Sequence, residues 1–537
     1  MKAKTHAGFW VALVTIIVVL LGAVSAQARS QTSIPAFAQA VAEAAALDED
    51  IAAFYRENGY KPIWTSNSSK DRKRRAALLK ALASAGDHGL PVSAYNMDIL
   101  RTNLRSVDSP RQLGQLEVEM SRLFLLYARH VQTGILNPRR VDSGIVREVP
   151  LRGRTALLAA FAKSSASGFL KSLPPKSAEY ARLMKEKLRL EKLLGNGGWG
   201  QAVPVSSLQP GASGNAVVIL RNRLMAMGYL SRSSTQTYDS DIQRAVQLFQ
   251  VDHGLNPDGV AGAATMREIN TPVAERLQSI LVTMERERWM NIDRGSRHIW
   301  VNLTDFRATI VDNGQVTFET RAVVGKNTSD RRTPEFSDIM EFMVINPSWN
   351  VPRSITTKEY LPAMQRNANA VGHLQLIDSR GRVVNRSNVN FNAYTARTFP
   401  YAMRQPPSSN NALGLVKFMF PNRYNIYLHD TPAKNLFARD VRAFSHGCIR
   451  LQKPFEFAYM LLARQTNDPQ GVFHRALESG RETRIDLENP VPVHLVYRTA
   501  VAPAKGNVQY REDVYGRDGR IWSALANAGV VLRAVGG

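Results

Sequence analysis

The spacing of apolar residues changes near residue 290, and this change constrains the fold more than any other feature. Before it, apolar residues recur at steps of three and four, as in residues 111–131, which predicts amphipathic helices. After it, short segments such as 298–303 alternate apolar and polar residues, and Asp312-Asn313-Gly314 is typical of a hairpin turn. The sequence therefore predicts an α+β multidomain protein that is helical first and β-rich afterwards.

Turn-forming residues and breaks in periodicity divide the chain into smaller predicted segments. The irregular insertion has the composition of a lid over a site, with many Pro, Asn and Ser residues. In chain order, the predicted segments are a signal peptide at 1–28, a helical scaffold at 34–206, a small three-helix domain at 207–271, a returning scaffold helix at 273–290, a β-sandwich-like domain at 297–518 with a lid insertion at 355–413, and a C-terminal tail at 519–537.

The N-terminus has the pattern of an export signal. Lys2 and Lys4 precede an apolar run from Phe9 to Val24, and the small residues up to Ala28 offer cleavage sites. We therefore expect residues 1–28 to be removed and the mature protein to be periplasmic. An uncleaved membrane anchor is the alternative, although the run is short for a bilayer-spanning helix.

The formal net charge of +24 favours an anionic partner. The sequence has neither paired Cys/His zinc spacing nor an RNP-type aromatic run, so no nucleic-acid partner is expected. An exported basic protein is better suited to an anionic cell-wall polymer, and weak membrane association and contacts with envelope proteins stay open. The alternative without a partner is that the Lys and Arg residues only form a solvated surface. The basic run at 70–75 is interpreted in this way, as a solvated helix start.

Cys448 is the only cysteine in the chain, so no intramolecular disulfide can form. An isolated thiol in an oxidising compartment is a chemical liability unless it has a use, although a buried cysteine can also act as a small hydrophobe. Cys448 lies in the stretch Ser445-His446-Gly447-Cys448-Ile449-Arg450. The glycine allows a tight turn, and the backbone amides of Gly447 and Cys448 are candidate oxyanion donors.

A cysteine nucleophile also needs a base, and two histidines are candidates. His446 is only two residues from Cys448 and is too constrained to be the obvious partner. His429 ends a predicted strand over residues 424–429, on which Tyr427 and His429 face away from the apolar side. We therefore expect His429 to be the base. Either a backbone carbonyl or the adjacent Asp430 could orient it, but Asp430 projects to the opposite face if the strand continues.

These residues resemble the catalytic motif of the L,D-transpeptidases (YkuD-type domain), in which a histidine precedes Ser-His-Gly-Cys and an arginine usually follows two positions later. The spacing from His429 to Cys448 fits that motif. The resemblance is greatest to the large YcbB-like branch, and residues 207–271 are similar to a type-1 peptidoglycan-binding domain. The matching stretches include Val324-Gly325-Lys326 with Thr333-Pro334, Asn346 to Pro352, Asn411 to Gly414, Ala245 to Gln250, Asp258-Gly259, and Asp513 to Asp518.

This resemblance implies a mechanism. Cys448 attacks the carbonyl of the third residue of a tetrapeptide donor, usually diaminopimelate, and expels the terminal D-Ala. His429 takes the thiol proton and then assists the diaminopimelate amine of the acceptor stem, which gives a 3→3 cross-link. The resemblance implies no metal or cofactor. The remaining motif residues are expected to bind substrate or position the loop, and they are Tyr427, Ser445, His446 and Arg450.

Two departures from the branch are visible, His446 where serine is frequent and Pro406-Pro407-Ser408 where a Pro-Gly pair is frequent. Three alternatives stay open. The thioester could pass to water or to a protein lysine, which describes a carboxypeptidase, a cross-link hydrolase or an envelope-protein anchoring enzyme. A non-catalytic wall-binding protein and a zinc wall hydrolase are disfavoured by the intact motif and by the lack of a His-Glu-x-x-His sequence.

Overall fold

The computed structural model describes residues 35–536, and the predicted signal peptide at 1–28 lies outside them. Contacts between residues divide the chain into two compact units. Among the described residues, the first unit comprises 35–76, 98–125 and 153–164, and the second comprises 77–97, 126–152 and 165–536.

Helices dominate the described chain up to residue 289. The α-helices are α1 (Ala36–Ala45), α2 (Glu49–Glu57), α3 (Ser69–Ala83), α4 (Met97–Ser106), α5 (Pro110–Thr133), α6 (Pro138–Val141), α7 (Arg154–Lys163), α8 (Ala166–Lys171), α9 (Ala178–Gly195), α10 (Asn215–Met227), α11 (Ser240–Asp252), α12 (Ala263–Asn270), α13 (Val273–Trp289), α14 (Arg353–Ile355), α15 (Leu361–Arg366), α16 (Pro454–Leu462), α17 (Pro469–Glu478) and α18 (Arg517–Asn527).

Strands begin at residue 297. They are β1 (Arg297–Asn302), β2 (Arg307–Asp312), β3 (Gln315–Gly325), β4 (Phe336–Ile345), β5 (Trp349–Asn350), β6 (Gln375–Ile377), β7 (Val383–Val384), β8 (Ala402–Gln405), β9 (Val416–Met419), β10 (Leu428–His429), β11 (Ala443–Ser445), β12 (Ile449–Leu451), β13 (Thr483–Val496), β14 (Ala500–Val501) and β15 (Gln509–Tyr510).

A buried carboxylate organises the first unit. Glu117 on α5 is fully buried and accepts hydrogen bonds from the backbone N–H groups of Ile63, Trp64 and Thr65 and from the Tyr55 hydroxyl. These bonds give acceptors to the buried N–H groups of the loop after α2, which would otherwise have none.

The small three-helix domain consists of α10, α11 and α12 around its own apolar core. Gln250 on α11 holds the Asp258-Gly259 turn in place. Its side-chain amide donates to the carboxylate of Asp258 at 2.9 Å, and its side-chain oxygen accepts from the Gly259 N–H at 2.9 Å. The buried glutamine thus fixes the turn between α11 and α12, because buried polar groups must find partners.

Helices α9, α13 and α18 share a further core in the second unit. Leu277 and Ile280 of α13 pack in it with Ile521 and Leu525 of α18. The segment at 519–537 that the sequence suggests is a tail therefore includes a packed helix.

The β-rich domain is a closed sheet. Within the described chain, nine strands lie in the order β11-β3-β12-β10-β9-β4-β13-β1-β2, and an additional pairing of β2 with β3 closes eight of them into a ring. The ring encloses the largest core and packs against α16 and α17. Strands β5, β8, β6 and β7 form a separate small sheet with its own core in and beside the insertion. The predicted fold class, helical regions followed by a β-rich domain, is confirmed.

Candidate active site

Two adjacent parallel strands bring the motif residues together. Leu428 on β10 is in register with Ile449 on β12, and His429 is in register with Arg450. Leu428 and Ile449 belong to the core. Because successive side chains of a strand alternate between faces, His429 and Arg450 lie on the opposite, outer face of the sheet.

Tyr427 and Cys448 immediately precede these two strands, and their side chains line the same cavity as His429 and Arg450. The ring centroids of Tyr427 and His429 are 5.7 Å apart. All four side chains line one cavity of about 870 Å³, together with Ser445 and His446. The structure thus brings the motif residues to a single site, with the insertion as its other wall.

His429 is a buried neutral base. Its Nδ1 lies 2.5 Å from the carbonyl oxygen of Asp430. A carbonyl can only accept, so Nδ1 carries the proton and Nε2 has the free lone pair. Burial, followed by the charges of Arg450 and Lys417, lowers the pKa of His429 from 6.5 to about 3. Lys417 on β9 is in register with His429 on its other side, so a cation flanks the imidazole on each neighbouring strand.

The carboxylate of Asp430 points elsewhere. It accepts hydrogen bonds from the Leu415 N–H at 2.9 Å and from Lys434 Nζ at 2.5 Å. It also fills the space beside Gly414, where an added Cβ would lie 2.3 Å from the carboxylate oxygen. The group of Asp430 that contacts His429 is therefore its backbone carbonyl.

Cys448 is a partly exposed free cysteine. Its Sγ donates to the carbonyl of Asn425 at 3.4 Å, and no hydrogen bond joins it to His429 within the described residues. Burial raises the pKa of the thiol from 9.0 to about 11, although hydrogen bonds from Tyr427 and the charge of Arg450 act in the other direction. The resting site therefore holds a thiol and a neutral imidazole, not a thiolate and an imidazolium.

The predicted strand over residues 424–429 is wrong in its first part, because the structure has a turn at 422–426 and a strand only at Leu428–His429. This turn supplies the Asn425 carbonyl that accepts from the thiol. Asn425 has φ of +53°, a left-handed conformation that asparagine adopts more readily than most residues. Asn422 holds the turn, because its side-chain oxygen accepts from the N–H groups of Tyr424 and Ile426 at 3.0 and 3.2 Å, and its side-chain amide donates to the Ile426 carbonyl at 2.8 Å. Two asparagines three residues apart before a strand were the available signal.

Ser445 closes the loop that presents the cysteine. The Gly447 N–H donates to Ser445 Oγ at 3.1 Å, and Ser445 Oγ donates to the Cys448 carbonyl at 2.6 Å. Gly447 has φ of +119°, which a side chain would disfavour. The Gly447 N–H is thus already engaged, whereas the Cys448 N–H has no acceptor among the residues described.

Thr333 supports the same loop from below. Its fully buried hydroxyl donates to the Gly447 carbonyl at 2.7 Å and accepts from the Gly325 N–H at 2.9 Å. Tyr515 donates to the Gly325 carbonyl at 2.6 Å, and Arg517 donates to the Thr333 carbonyl at 3.0 Å. In the sequence these residues belong to stretches shared with the family, and no local pattern indicates a role for them.

His446 points toward the insertion. Its Nε2 lies 2.9 Å from the carboxylate of Glu359, which also pairs with Arg331 at 2.7 Å. Glu359 belongs to a π-helical turn at Thr356–Tyr360, which follows α14. The histidine of the Ser-His-Gly-Cys sequence therefore links the cysteine loop to the insertion.

Arg450 is an unpaired cation in the cavity. Its side chain forms no hydrogen bond or ion pair with any described residue, and its Nε is buried without an acceptor. Burial lowers the pKa of its guanidinium. An unpaired, partly buried guanidinium is suited to bind a carboxylate in a bidentate manner.

Two further findings concern residues 35–536. They contain no set of three or more His, Cys, Asp or Glu side chains arranged to hold a metal ion. None of their helices combines the length and hydropathy required to cross a membrane.

The cavity on the outer face of the closed sheet thus contains a nucleophile (Cys448), a neutral base (His429), a backbone N–H without an acceptor and an unpaired guanidinium (Arg450). These are the groups that a thiol acyl-transfer site requires. Family models identify the parts of the chain. The L,D-transpeptidase catalytic domain (YkuD) matches residues 296–476, the scaffold domain matches 49–186, and the "Putative peptidoglycan binding domain" matches 213–269. Residues 296–476 are therefore similar to the L,D-transpeptidase catalytic domain, and the resemblance seen in the sequence is confirmed.

A curated relative is the "Putative L,D-transpeptidase" of Haemophilus influenzae, which is 32% identical over 254 residues. That match spans 47% of this chain and 51% of the relative, so the chain matches about half the length of the curated relative.

Two solved structures are also similar to parts of the chain. They are an L,D-transpeptidase from Xylanimonas cellulosilytica (16% identity, 54% of this chain, 98% of that chain, TM-score 0.17) and an L,D-transpeptidase from Stackebrandtia nassauensis (14% identity, 55% and 97%, TM-score 0.21). TM-scores this low support no argument about this chain.

Proposed function

We propose that the protein is an exported peptidoglycan L,D-transpeptidase that forms 3→3 cross-links through a thioester on Cys448. The observation that carries the proposal is that Cys448, His429 and Arg450 share one cavity in a domain that matches the L,D-transpeptidase catalytic model. The match to a peptidoglycan-binding domain and the net charge of +24 support an acidic wall polymer as substrate. Both wall-related matches support a place of action outside the cytoplasm.

In the proposed acylation step, Cys448 turns from the Asn425 carbonyl toward His429, whose Nε2 takes the thiol proton. Sulfur attacks the carbonyl carbon of the third stem residue, diaminopimelate. The C–S bond forms, the C–N bond to the terminal D-Ala breaks, and the D-Ala amine leaves with the proton from the imidazolium. The Cys448 N–H, which has no internal acceptor, is the first donor to the oxyanion. The Gly447 N–H can join it only by leaving Ser445 Oγ.

In the proposed second step, the side-chain amine of a diaminopimelate on another stem attacks the thioester. His429 takes the amine proton and returns a proton to sulfur as the C–S bond breaks. Arg450 binds a carboxylate of the donor stem, because it is the cation of this cavity that no described carboxylate neutralises. Tyr427 beside the thiol and His446 in the loop orient the reacting groups.

Intact-protein mass spectrometry of residues 29–537 with a disaccharide-tetrapeptide tests the proposal. We expect an acyl adduct with loss of D-Ala, followed by dimer product, and neither in Cys448→Ala. A wild-type chain that forms no adduct yet still binds sacculi would instead identify a non-catalytic wall-binding protein. Competition among water, free amines and lysine peptides for the adduct then determines the acceptor.

A further inference from the structure

Glu359 on the insertion has a carboxylate oxygen that no described residue uses. Its Oε1 accepts from Arg331 Nη2 at 2.7 Å and lies 2.9 Å from His446 Nε2. Its Oε2 forms no hydrogen bond with any described residue and is accessible to solvent. Glu359, Arg331 and His446 line the same cavity as Cys448. The insertion therefore brings a free carboxylate oxygen to the candidate active site.

His446 adds a second free acceptor beside this carboxylate. A carboxylate can only accept, so the ring nitrogen that faces Glu359, Nε2, carries a proton. In the neutral imidazole the free lone pair is then on Nδ1, which has no donor among the residues described. His446 lies two residues before Cys448 in the loop that presents the nucleophile. Two side chains in direct contact, one of them charged, therefore each offer a free acceptor beside the nucleophile.

The carboxylate of Glu359 is held in place before any ligand binds. Arg331 and His446 both contact Oε1, and this leaves Oε2 as the oxygen that a ligand can reach. Glu359 also lies in the π-helical turn at Thr356–Tyr360, and such turns are rare in proteins and often mark functional sites. A preorganised acceptor binds its donor at a lower cost in conformational entropy.

The charges of the cavity indicate which ligand these acceptors suit. Among the described residues, the carboxylates that line the cavity are Asp330 and Glu359. Asp330 lies 3.9 Å from Lys358, so Glu359 is the one of the two that contacts the cysteine loop. A primary ammonium has three N–H donors and a positive charge, and it matches Oε2 and Nδ1. A carboxylate would be repelled there and is better matched by the unpaired Arg450.

We propose that Glu359 Oε2 and His446 Nδ1 bind the side-chain ammonium of the acceptor stem and thereby favour an amine over water as the acceptor of the thioester. That the ammonium belongs to diaminopimelate rests on the proposed function, whereas the preference for a primary ammonium rests on the two free acceptors. The bound ammonium gives one proton to Nδ1, which releases it to solvent. The neutral amine then attacks the thioester and passes its second proton to His429, as in the proposed second step.

The test compares two probes that differ only at this amine. One is the stem tripeptide that ends in diaminopimelate, with an acetylated N-terminus and a free side-chain amine. The other is the same tripeptide with the side-chain amine acetylated as well. Isothermal titration measures the Kd of each probe for the full chain with Cys448→Ala, so that no probe becomes covalently attached, alone and combined with Glu359→Gln, His446→Ser or Asp330→Asn. Asp330→Asn is the matched control, because it also removes a carboxylate from the cavity lining, but one that pairs with Lys358 instead of the cysteine loop.

We expect the free amine to bind more tightly than the acetylated probe. Glu359→Gln should raise the Kd of the free amine about tenfold, through loss of a charge-assisted hydrogen bond, and His446→Ser about fivefold, through loss of a neutral one. The Kd of the acetylated probe should change little in either variant, and Asp330→Asn should change neither Kd.

Equal weakening of both probes by Glu359→Gln would mean that this side chain only holds the insertion in place, and it overturns the inference. Equal binding of the two probes by the chain without these changes, or binding of neither, overturns it as well. Adduct formation by the chain with Cys448 intact is measured separately, so failure of the proposed function is seen independently of this result.

Discussion

The hydroxyl of Thr333 offers the sharpest test of how the fold positions the nucleophile. Thr333→Val keeps the shape of the side chain but leaves the Gly447 carbonyl and the Gly325 N–H buried without partners. Each unsatisfied buried group costs about 1–3 kcal/mol, so we expect the two together to lower the unfolding free energy by about 2–6 kcal/mol. Because Gly447 precedes Cys448, the loop also shifts, and a displacement of about 1 Å can reduce a rate roughly 100-fold.

Denaturant unfolding gives the first quantity, and the rate constant of adduct formation with the tetrapeptide gives the second. Thr333→Ser retains the hydroxyl and should recover most of the adduct rate, although it loses a buried methyl group. Thr317→Val, on the exposed part of β3, also removes a hydroxyl hydrogen bond, which runs to Asp312 at 2.6 Å, but it lies outside the cysteine loop and should leave the adduct rate unchanged. If Thr333→Val is stable within about 0.5 kcal/mol and reacts at the wild-type rate, the hydroxyl does not position the loop and the reasoning is refuted.

Three further results are expected. Without substrate, the rate of Cys448 alkylation by iodoacetamide should rise about tenfold per pH unit from about pH 7 to about pH 10, because burial raises the thiol pKa to about 11. A rate that is already constant near neutral pH would instead show a thiolate–imidazolium pair. Arg450→Gln should raise the KM for the tetrapeptide donor about tenfold, by steady-state kinetics, because no internal carboxylate competes for the guanidinium; an unchanged KM would exclude the contact. Glu359→Gln removes the negative charge that His446 and Arg331 share. It should speed proteolysis within residues 353–366 but raise the KM for the donor only about threefold, since partly exposed charged contacts are weak.

Local pattern alone indicated much of the site. A single cysteine after Ser-His-Gly, in a chain with a predicted export signal, indicates a nucleophile. The alternation of residues 424–429 puts Tyr427 and His429 on one face, although the strand itself comprises only Leu428–His429. In the structure both rings line the cavity, and the change of periodicity near residue 290 coincides with the start of the strands at 297. These features depend on neighbours in sequence, so periodicity was sufficient to predict them.

Contacts between distant segments were beyond sequence reasoning. Thr333 and Gly447 are 114 residues apart, and Glu359 and His446 are 87 apart. Which strands become neighbours, and in what register, depends on the packing of the whole closed sheet and leaves no periodic signal in either segment. For the same reason the sequence suggests only a tail at 519–537, where the structure has most of α18 and Ile521 packs against distant helices.

The strand register places two cations, Arg450 and Lys417, beside His429 and thereby affects how strong a base it is. Burial lowers the pKa of His429 most, and Arg450 lowers it further, because an imidazolium beside a guanidinium is unfavourable. Removing the positive charge with Arg450→Gln must therefore raise the His429 pKa, while burial keeps it below 6.5. A carboxylate bound to Arg450 would act in the same direction, so the donor itself would make His429 a stronger base once it is in place. NMR titration of the histidines in wild type and Arg450→Gln measures the shift, and a His429 pKa that does not move would mean that the guanidinium is screened from the base.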